Sequence, residues 1–193
     1  MSDGIALIAG LGNPGQQYQH NRHNAGALFL EALSRETGVQ LKPESKFFGL
    51  TARCTIAGQD VRLLFPSTYM NKSGQALAAL AQYYRIAPQQ ILVAYDELDL
   101  PLGTTRLKTG GGHGGHNGVR DIIQALGSAD FHRLRLGIGH PGDAGQVLGH
   151  VLGDFSRSER DTMDTQIDNA IKLMPLLVEG KLQTAMHQLH TKQ

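Results

Sequence analysis

The pattern of apolar runs predicts an α/β fold: a single three-layer domain in which helices flank both faces of a twisted, mixed β-sheet. Three observations predict it. Residues 5–9 and 91–95 are short continuous apolar runs, the mark of strands buried on both faces of a parallel sheet. Residues 48–56 and 61–65 alternate instead, and are joined across Ala57-Gly58-Gln59-Asp60, which reads as an antiparallel hairpin and makes the sheet mixed. Stretches of three- and four-residue periodicity lie between such runs, and strands alternating with helices build a layered domain.

The elements follow in order. After the first strand comes a loop, then a helix with Ala25, Leu28, Phe29, Ala32 and Leu33 on one face and Gly38 as its stop. Past the hairpin, a helix from near Ser73 carries Ala76, Leu77, Leu80, Ala81 and Tyr84 and ends before Pro88. The strand at 91–95 then places Asp96 at its carboxyl end. Gly110-Gly-Gly-His-Gly-Gly-His-Asn-Gly118 opens a helix whose apolar face is Val119, Ile122, Ile123 and Leu126. Residues 133–138 alternate as a strand with Arg133 and Arg135 on one face. Ser156 and Glu159 form a capping box for a long helix through Met163, Ile167, Ile171 and Met174, which Pro175 ends or kinks. A last helix spans about 182–189.

Composition limits the function classes. The 193 residues, 40% hydrophobic and 18% charged, suffice for one substantial core, and no repeat or linker divides them, so residues 1–193 read as one domain. A net charge of +1 excludes a broad cationic surface, so a nucleic-acid partner has to be held by a local basic patch. No basic and apolar leader opens the chain and no run reaches membrane-span length, which predicts a soluble, cytosolic protein. Cys54 is alone, and its place in the alternation Leu50, Ala52, Cys54, Ile56 predicts a buried small apolar residue.

Chemistry concentrates in residues 10–26, where Asn13, Tyr18, His23 and Asn24 put an amide, a phenol, a base and a second amide in one connection. Gly10-Leu-Gly-Asn-Pro-Gly15 matches the dinucleotide pattern G-x-G-x-x-G, but Pro14 removes a backbone donor and the helical pattern starts about ten residues late to receive a pyrophosphate. His20-x-x-His23 and His113-x-x-His116, with Asp96, offer zinc-type ligands, although no H-E-x-x-H motif or cysteine cluster accompanies them. No G-x-S-x-G elbow is present for a serine nucleophile. Hydrolysis by an activated water needs a neutral histidine and a carboxylate on its other nitrogen, and His23 with Asp96 can supply that pair. Three classes remain open on these residues: such a hydrolase, a metal-dependent hydrolase of a small substrate, and a non-catalytic RNA-end binding protein.

Further groups fit an ester at a nucleic-acid end. Asn71 and Asn117 are neutral amides at element boundaries, suited to an oxyanion, though each also reads as a helix-starting residue. Tyr18 and Tyr69 offer faces on which a base or ribose can stack. Arg106 with Lys108, and Arg133 with Arg135, are pairs two apart that share a strand face and can hold phosphates, or are solvated surface charges.

Six motifs, in order, carry a resemblance: Gly10-Leu-Gly-Asn-Pro-Gly15 with Tyr18; Arg22-His-Asn-Ala-Gly26; PSTYMNKSG at 66–74; Asp96-Glu-Leu-Asp-Leu-Pro101; GGGHGGHNG at 110–118; and FHRLRLGIGHPG at 131–142. Over about residues 5–155 the chain resembles the bacterial-type peptidyl-tRNA hydrolase family, with a looser fit in the carboxyl-terminal helices. The resemblance implies a phosphorylase/hydrolase-like fold. It also implies a cytoplasmic, monomeric, metal- and cofactor-independent esterase that cleaves the bond between a peptide and the 3′ ribose of tRNA. Its partners would be peptidyl-tRNA and, transiently, the stalled 50S ribosomal subunit. By resemblance His23 is the general base, Asp96 its support, and Asn13 the residue that tells N-blocked from free aminoacyl esters; as a neutral amide, Asn71, with Asn13, is expected to donate to the oxyanion. Tyr18, Tyr69, Met70, Asn71 and Asn117 form the substrate set, with Asn24 and His116 as further contacts and Lys108 and Arg135 as tRNA phosphate contacts. Asn21 stands where the family usually has threonine, and Tyr69 where phenylalanine is common.

Overall fold

The computed structural model describes residues 4–191, and among them seven strands form one sheet in the order β2-β3-β4-β1-β5-β7-β6. The strands are β1 (Leu7–Gly10), β2 (Lys42–Glu44), β3 (Gly49–Ile56), β4 (Gln59–Pro66), β5 (Ile91–Glu97), β6 (Thr105–Thr109) and β7 (His132–Gly137). β1 pairs in parallel with β4 and β5, and β5 with β7; β3 runs antiparallel to β4 and β2, and β6 antiparallel to β7. The sheet is therefore mixed, as the alternating and continuous runs predict.

Helices α1 (Ala25–Glu36), α5 (Arg157–Ile171), α6 (Met174–Val178) and α7 (Leu182–Thr191) cover one face. Helices α2 (Ser73–Tyr83) and α3 (Asn117–Leu126) cover the other. Alternation along β1 sends Ile8 into the first layer with Phe29 and Leu33, and Leu7 and Ala9 into the second with Leu77 and Val119. Because both sides are dry, the strand reads as an unbroken apolar run. Cys54 is buried in the first layer, and burial raises its thiol pKa.

Two glycines set the spacing that matters for the site. A Cβ on Gly26 would lie 2.1 Å from the Ala94 carbonyl oxygen, and one on Gly10 would lie 2.3 Å from that of Gly26. Their absence lets the first turn of α1 rest directly on β1 and β5, which brings the residues just before α1 over the carboxyl ends of both strands.

Several details differ from the sequence expectations. The hairpin turn is tighter than residues 57–60: Ala57 and Gly58 both have positive φ, 50° and 74°, and Ile56 already pairs with Gln59. The long helix stops at Ile171, before Met174; Pro175 sits in the first turn of the separate α6, where its missing N–H is tolerated. Edge strand β2 and the five-residue α4 (Val147–Val151) have no counterpart in the sequence reading. The Ser156–Glu159 capping box forms as expected. No described helix is long and apolar enough to cross a membrane.

Candidate active site

The carboxyl ends of β4, β1 and β5 lie side by side where the chain's path across the sheet reverses, the place where open α/β sheets put ligands. Three connections converge there. The loop after β1 carries Asn13, Tyr18 and a 3₁₀ turn, Arg22–Asn24, holding His23. The loop after β4 carries Tyr69 and a 3₁₀ turn, Met70–Lys72, holding Asn71. The glycine loop brings His116 and Asn117 to the start of α3.

Asp96, next to last in β5 and 3% exposed, sits between two imidazoles. Its Oδ2 is 2.7 Å from His23 Nδ1 and its Oδ1 is 2.9 Å from His116 Nε2. His116 is the N-cap of α3: its Nδ1 accepts the Val119 N–H at 3.3 Å. That bond assigns the His116 proton to Nε2, which donates to Asp96. The alternative cap, Asn117, is instead the first helical residue and is exposed. At His23 the Nδ1–H donates to Asp96, which leaves the Nε2 lone pair without a partner among the described residues, in a side chain that is 14% exposed.

The electrostatics follow from that arrangement. Burial alone would raise the Asp96 pKa, but the two imidazoles and their N–H bonds outweigh it and hold the carboxyl well below the usual range. Burial works against an imidazolium at His23, yet the charge and hydrogen bond of Asp96 win, and the His23 pKa stands above 6.5.

A second network fixes the amide beside this pair. Asn24 is buried, with Oδ1 accepting the Asn13 N–H at 2.9 Å and Nδ2 donating to the Asn13 carbonyl at 3.0 Å. Asn13 Oδ1 in turn accepts the Met70 N–H at 2.7 Å. With its oxygen committed, Asn13 can offer only its NH₂ group, which has no partner among the described residues. Met70 is buried, and a Cβ on Gly118 would lie 2.6 Å from its Sδ, so glycine there makes room for it. Tyr18 is half-buried, Tyr69 is 61% exposed, and the Asn71 and Asn117 side chains are exposed with no polar partner among the described residues.

Sequence reasoning did not find what holds His23 from behind. Asn21 bridges to Asp154 across an isolated antiparallel pair, and its Nδ2 donates to Leu152 O at 2.6 Å and Asp154 Oδ1 at 2.8 Å. Arg22 donates through Nη1 to the His150 carbonyl and through Nη2 to Glu159 Oε1, both at 3.0 Å. Glu159 is also the N3 member of the α5 capping box. The only sequence signal was Asn21 in place of threonine.

The basic residues divide. Arg106 is opposite Arg135 and Lys108 opposite Arg133 in the β6–β7 ladder, so all four share one face. Arg133, read as a surface cation, is fully buried: it donates to the carbonyls of Gly111, Gly112 and Ala129 and lies 4.5 Å from the Phe131 ring centroid. Arg135 Nε donates to Glu97 Oε1 at 2.9 Å. Lys108 has no ion pair among the described residues and lies against Gly111.

The zinc-type pairs are not kept together. His113 is exposed, with Nδ1 accepting the Gly115 N–H, and His20 is exposed in the loop before the turn. One histidine from each pair, His23 and His116, meets Asp96, with the ligand atoms all within 4.8 Å. Their separations of 2.7 and 2.9 Å are those of hydrogen bonds. Two ligands on a tetrahedral zinc stand about 3.3 Å apart, and His116 Nδ1 is occupied by its cap. The cluster is organised around protons.

The family model described as peptidyl-tRNA hydrolase matches residues 7–193. A protein named peptidyl-tRNA hydrolase from Pseudomonas savastanoi pv. phaseolicola is 59% identical over 189 residues, 97% of each chain. One from Marinobacter nauticus is 55% identical over 191 residues, 99% of this chain and 97% of that one. The crystal structure of peptidyl-tRNA hydrolase from Acinetobacter baumannii matches with a TM-score of 0.94 at 53% identity, covering 98% of this chain and 95% of that chain.

Proposed function

This chain belongs to the peptidyl-tRNA hydrolase family, and from that premise we propose how its residues hydrolyse the ester between a peptide and the 3′ ribose of tRNA. The observation that carries the reading is the buried Asp96 carboxylate tied to His23 Nδ1, which leaves Nε2 free as a base. His23 Nε2 takes a proton from water, and the hydroxide so formed attacks the ester carbonyl. Asp96 fixes the tautomer and stabilises the imidazolium. The Asn71 amide, with the Asn13 NH₂, donates to the developing oxyanion. The tetrahedral intermediate expels the ribose oxygen, which takes the proton back from His23, and the products are a free peptide and tRNA.

The other residues serve that step. Asn24 holds the Asn13 backbone and His116 holds Asp96, so each acts on substrate through its neighbour. Tyr18, Tyr69, Met70 and Asn117 line the aminoacyl end, and Asn13 distinguishes an acylated from a free amino group. Lys108 meets tRNA phosphate, as does Arg135 from its pair with Glu97. The enzyme works as a cytoplasmic monomer that recycles peptidyl-tRNA, including that held on stalled 50S subunits.

The test is peptide release from purified N-acetyl-aminoacyl-tRNA with and without chelator. His23→Ala should lower kcat by about 10² to 10⁴, the usual loss on removing a general base, and chelator should change nothing. Near-normal turnover in that variant overturns the assignment, and chelator-sensitive turnover favours a metal hydrolase.

A further inference from the structure

Arg133 has no part in the reaction proposed above, and its surroundings are not those of a surface charge. It is fully buried, it forms no ion pair among the described residues, and its Nε has no partner among them. Burying a guanidinium that no carboxylate neutralises is costly, and hydrogen bonds must offset it. Those bonds go to backbone oxygens on both sides of α3: Nη1 donates to Gly112, and Nη2 to Gly111 at 2.8 Å and Ala129 at 3.1 Å. The guanidinium therefore clips the loop that enters α3 to the loop that leaves it. Residues 111–115 are exposed, and Gly110, Gly111, Gly114 and Gly115 hold positive φ of 70°, 92°, 58° and 81°. Glycine loses more conformational freedom on ordering than any other residue. Past the Gly110 N–H, which donates to the Phe131 carbonyl, the hydrogen bonds tying residues 111–115 to the rest of the described protein are those from Arg133.

Resting on the function proposed above, we propose that Arg133 is a positioning residue of the reaction: its guanidinium pegs the glycine loop so that His116 stays on Asp96, and it touches no substrate. The loop ends at His116, whose Nε2 must reach Asp96 Oδ1 at 2.9 Å. A second route runs through Tyr95, whose ring stands edge-on to the His116 ring with centroids 4.9 Å apart. Burial pushes the Tyr95 hydroxyl up to about 12, against the charge and hydrogen bond of Arg133, so the phenol stays neutral beside the guanidinium. His116 supplies one of the two N–H groups that fix Asp96, and the other belongs to the base itself. With the loop loose, Asp96 is held by His23 alone, and the carboxylate and imidazole can swing together away from the line that aims Nε2 at water. A misplacement of about 1 Å can cost about a hundredfold in rate. Lys108 and Arg135, proposed to meet tRNA phosphate, act on binding. Buried Arg133 meets no phosphate and acts on turnover.

The experiment measures kcat and KM for peptide release from N-acetyl-aminoacyl-tRNA by Arg133→Ala and Arg133→Lys, each alone and combined with His116→Ala. Arg133→Ala should lower kcat about tenfold, a partial misplacement, with KM within about twofold of wild type and the salt slope of tRNA binding unchanged. Guanidinium chloride at a non-denaturing concentration should restore part of that loss, and sodium chloride at the same concentration should not. A variant that had only lost stability would be weakened further by guanidinium. In the His116→Ala background the same substitution should cost less than about twofold in kcat, because the group it positions is gone. Arg133→Lys serves where the alanine variant does not fold: it keeps the charge and loses the planar fork, so kcat should still fall about threefold. Unchanged kcat in the folded variants, a loss carried by KM with an altered salt slope, no recovery with guanidinium, or equal kcat loss with and without His116 overturns the proposal. Wild-type enzyme that releases no peptide overturns the underlying function and this proposal with it.

Discussion

Replacing Asp96 by asparagine tests the tautomer logic of the site more sharply than removing it. The carboxylate accepts from two imidazole N–H groups, His23 Nδ1 at 2.7 Å and His116 Nε2 at 2.9 Å. A carboxamide can accept at one atom only. His116 Nδ1 is taken by the Val119 N–H, so Nε2–H needs an acceptor and draws the amide oxygen. The NH₂ group then faces His23 Nδ1, which must become the acceptor, and the His23 proton moves to Nε2. The base is gone with the geometry intact. Turning the amide over would forfeit the α3 cap, about 1 kcal/mol, and set two buried donors against each other, about 1–2 kcal/mol more. At 1.4 kcal/mol per tenfold, roughly 1–3% of molecules keep the working tautomer. Loss of imidazolium stabilisation compounds this, giving a fall in kcat of roughly 10² to 10⁴. The residual activity also changes its pH dependence. In the proposed mechanism His23 acts when neutral, above its pKa, and Asp96 holds that pKa up against burial. With a neutral residue at 96 burial prevails, so the acid limb moves to lower pH. The assay is peptide release from N-acetyl-aminoacyl-tRNA across pH. Adding His116→Ala frees the amide oxygen for His23 and should restore about tenfold relative to Asp96→Asn alone. A single variant within threefold of wild type, an acid limb that stays or rises, or no recovery in the double variant refutes the reasoning.

The remaining predictions concern supports and charge. Asn21→Thr removes two partly buried hydrogen bonds from the segment behind His23; at about 1 kcal/mol each, the urea midpoint should fall by an equivalent of 1–2 kcal/mol and kcat about threefold or more, with KM unchanged. Gly26→Ala drives a Cβ against a backbone oxygen that cannot rotate away, so destabilisation should exceed the roughly 1–3 kcal/mol of ordinary overpacking; an unaltered denaturation midpoint contradicts the close approach. Lys108→Ala should weaken tRNA binding and reduce the slope of log K against log salt by about one, while leaving a minimal ester without the tRNA body unaffected; an unaltered slope leaves Lys108 a surface charge.

Local physics explains which features the sequence revealed. The apolar runs at β1 and β5 announce strands because both of their faces are dry, and the Ser156–Glu159 box announces a helix because its two bonds span three residues. Strand β2 is Lys-Pro-Glu, with no apolar signal, and exists only because β3 pairs with it. The apolar periodicity of α5 runs on through Met174, but Pro175 has no N–H to give the carbonyl four residues back, at Ile171, and its ring would strike that carbonyl, so the chain breaks and restarts with the proline in the first turn of α6. In the site, the ordered motifs name His23, Asp96 and Asn13, whose residue types carry their chemistry. The partnerships that orient them were hidden: the cap that fixes the His116 tautomer looks in sequence like a role for Asn117, and Arg22 with Glu159 lies 137 residues apart. Arg133 shows the limit of alternation, which assigns a face but not whether that face is covered.

The long reach of Arg22 and Asn21 also orders events in time. A chain emerging from the ribosome presents the turn that bears His23 first, then Asp96 and His116, and only much later the residues at 150–159 that grip that turn. Contacts of such sequence separation form late, since the entropy of closing the intervening chain comes before any gain. The sheet can assemble around β1, β4 and β5 while the base still lacks its backing. The turn that bears His23 therefore takes its last supports from the final third of the chain, and its position is fixed only once residues 150–159 have joined the fold.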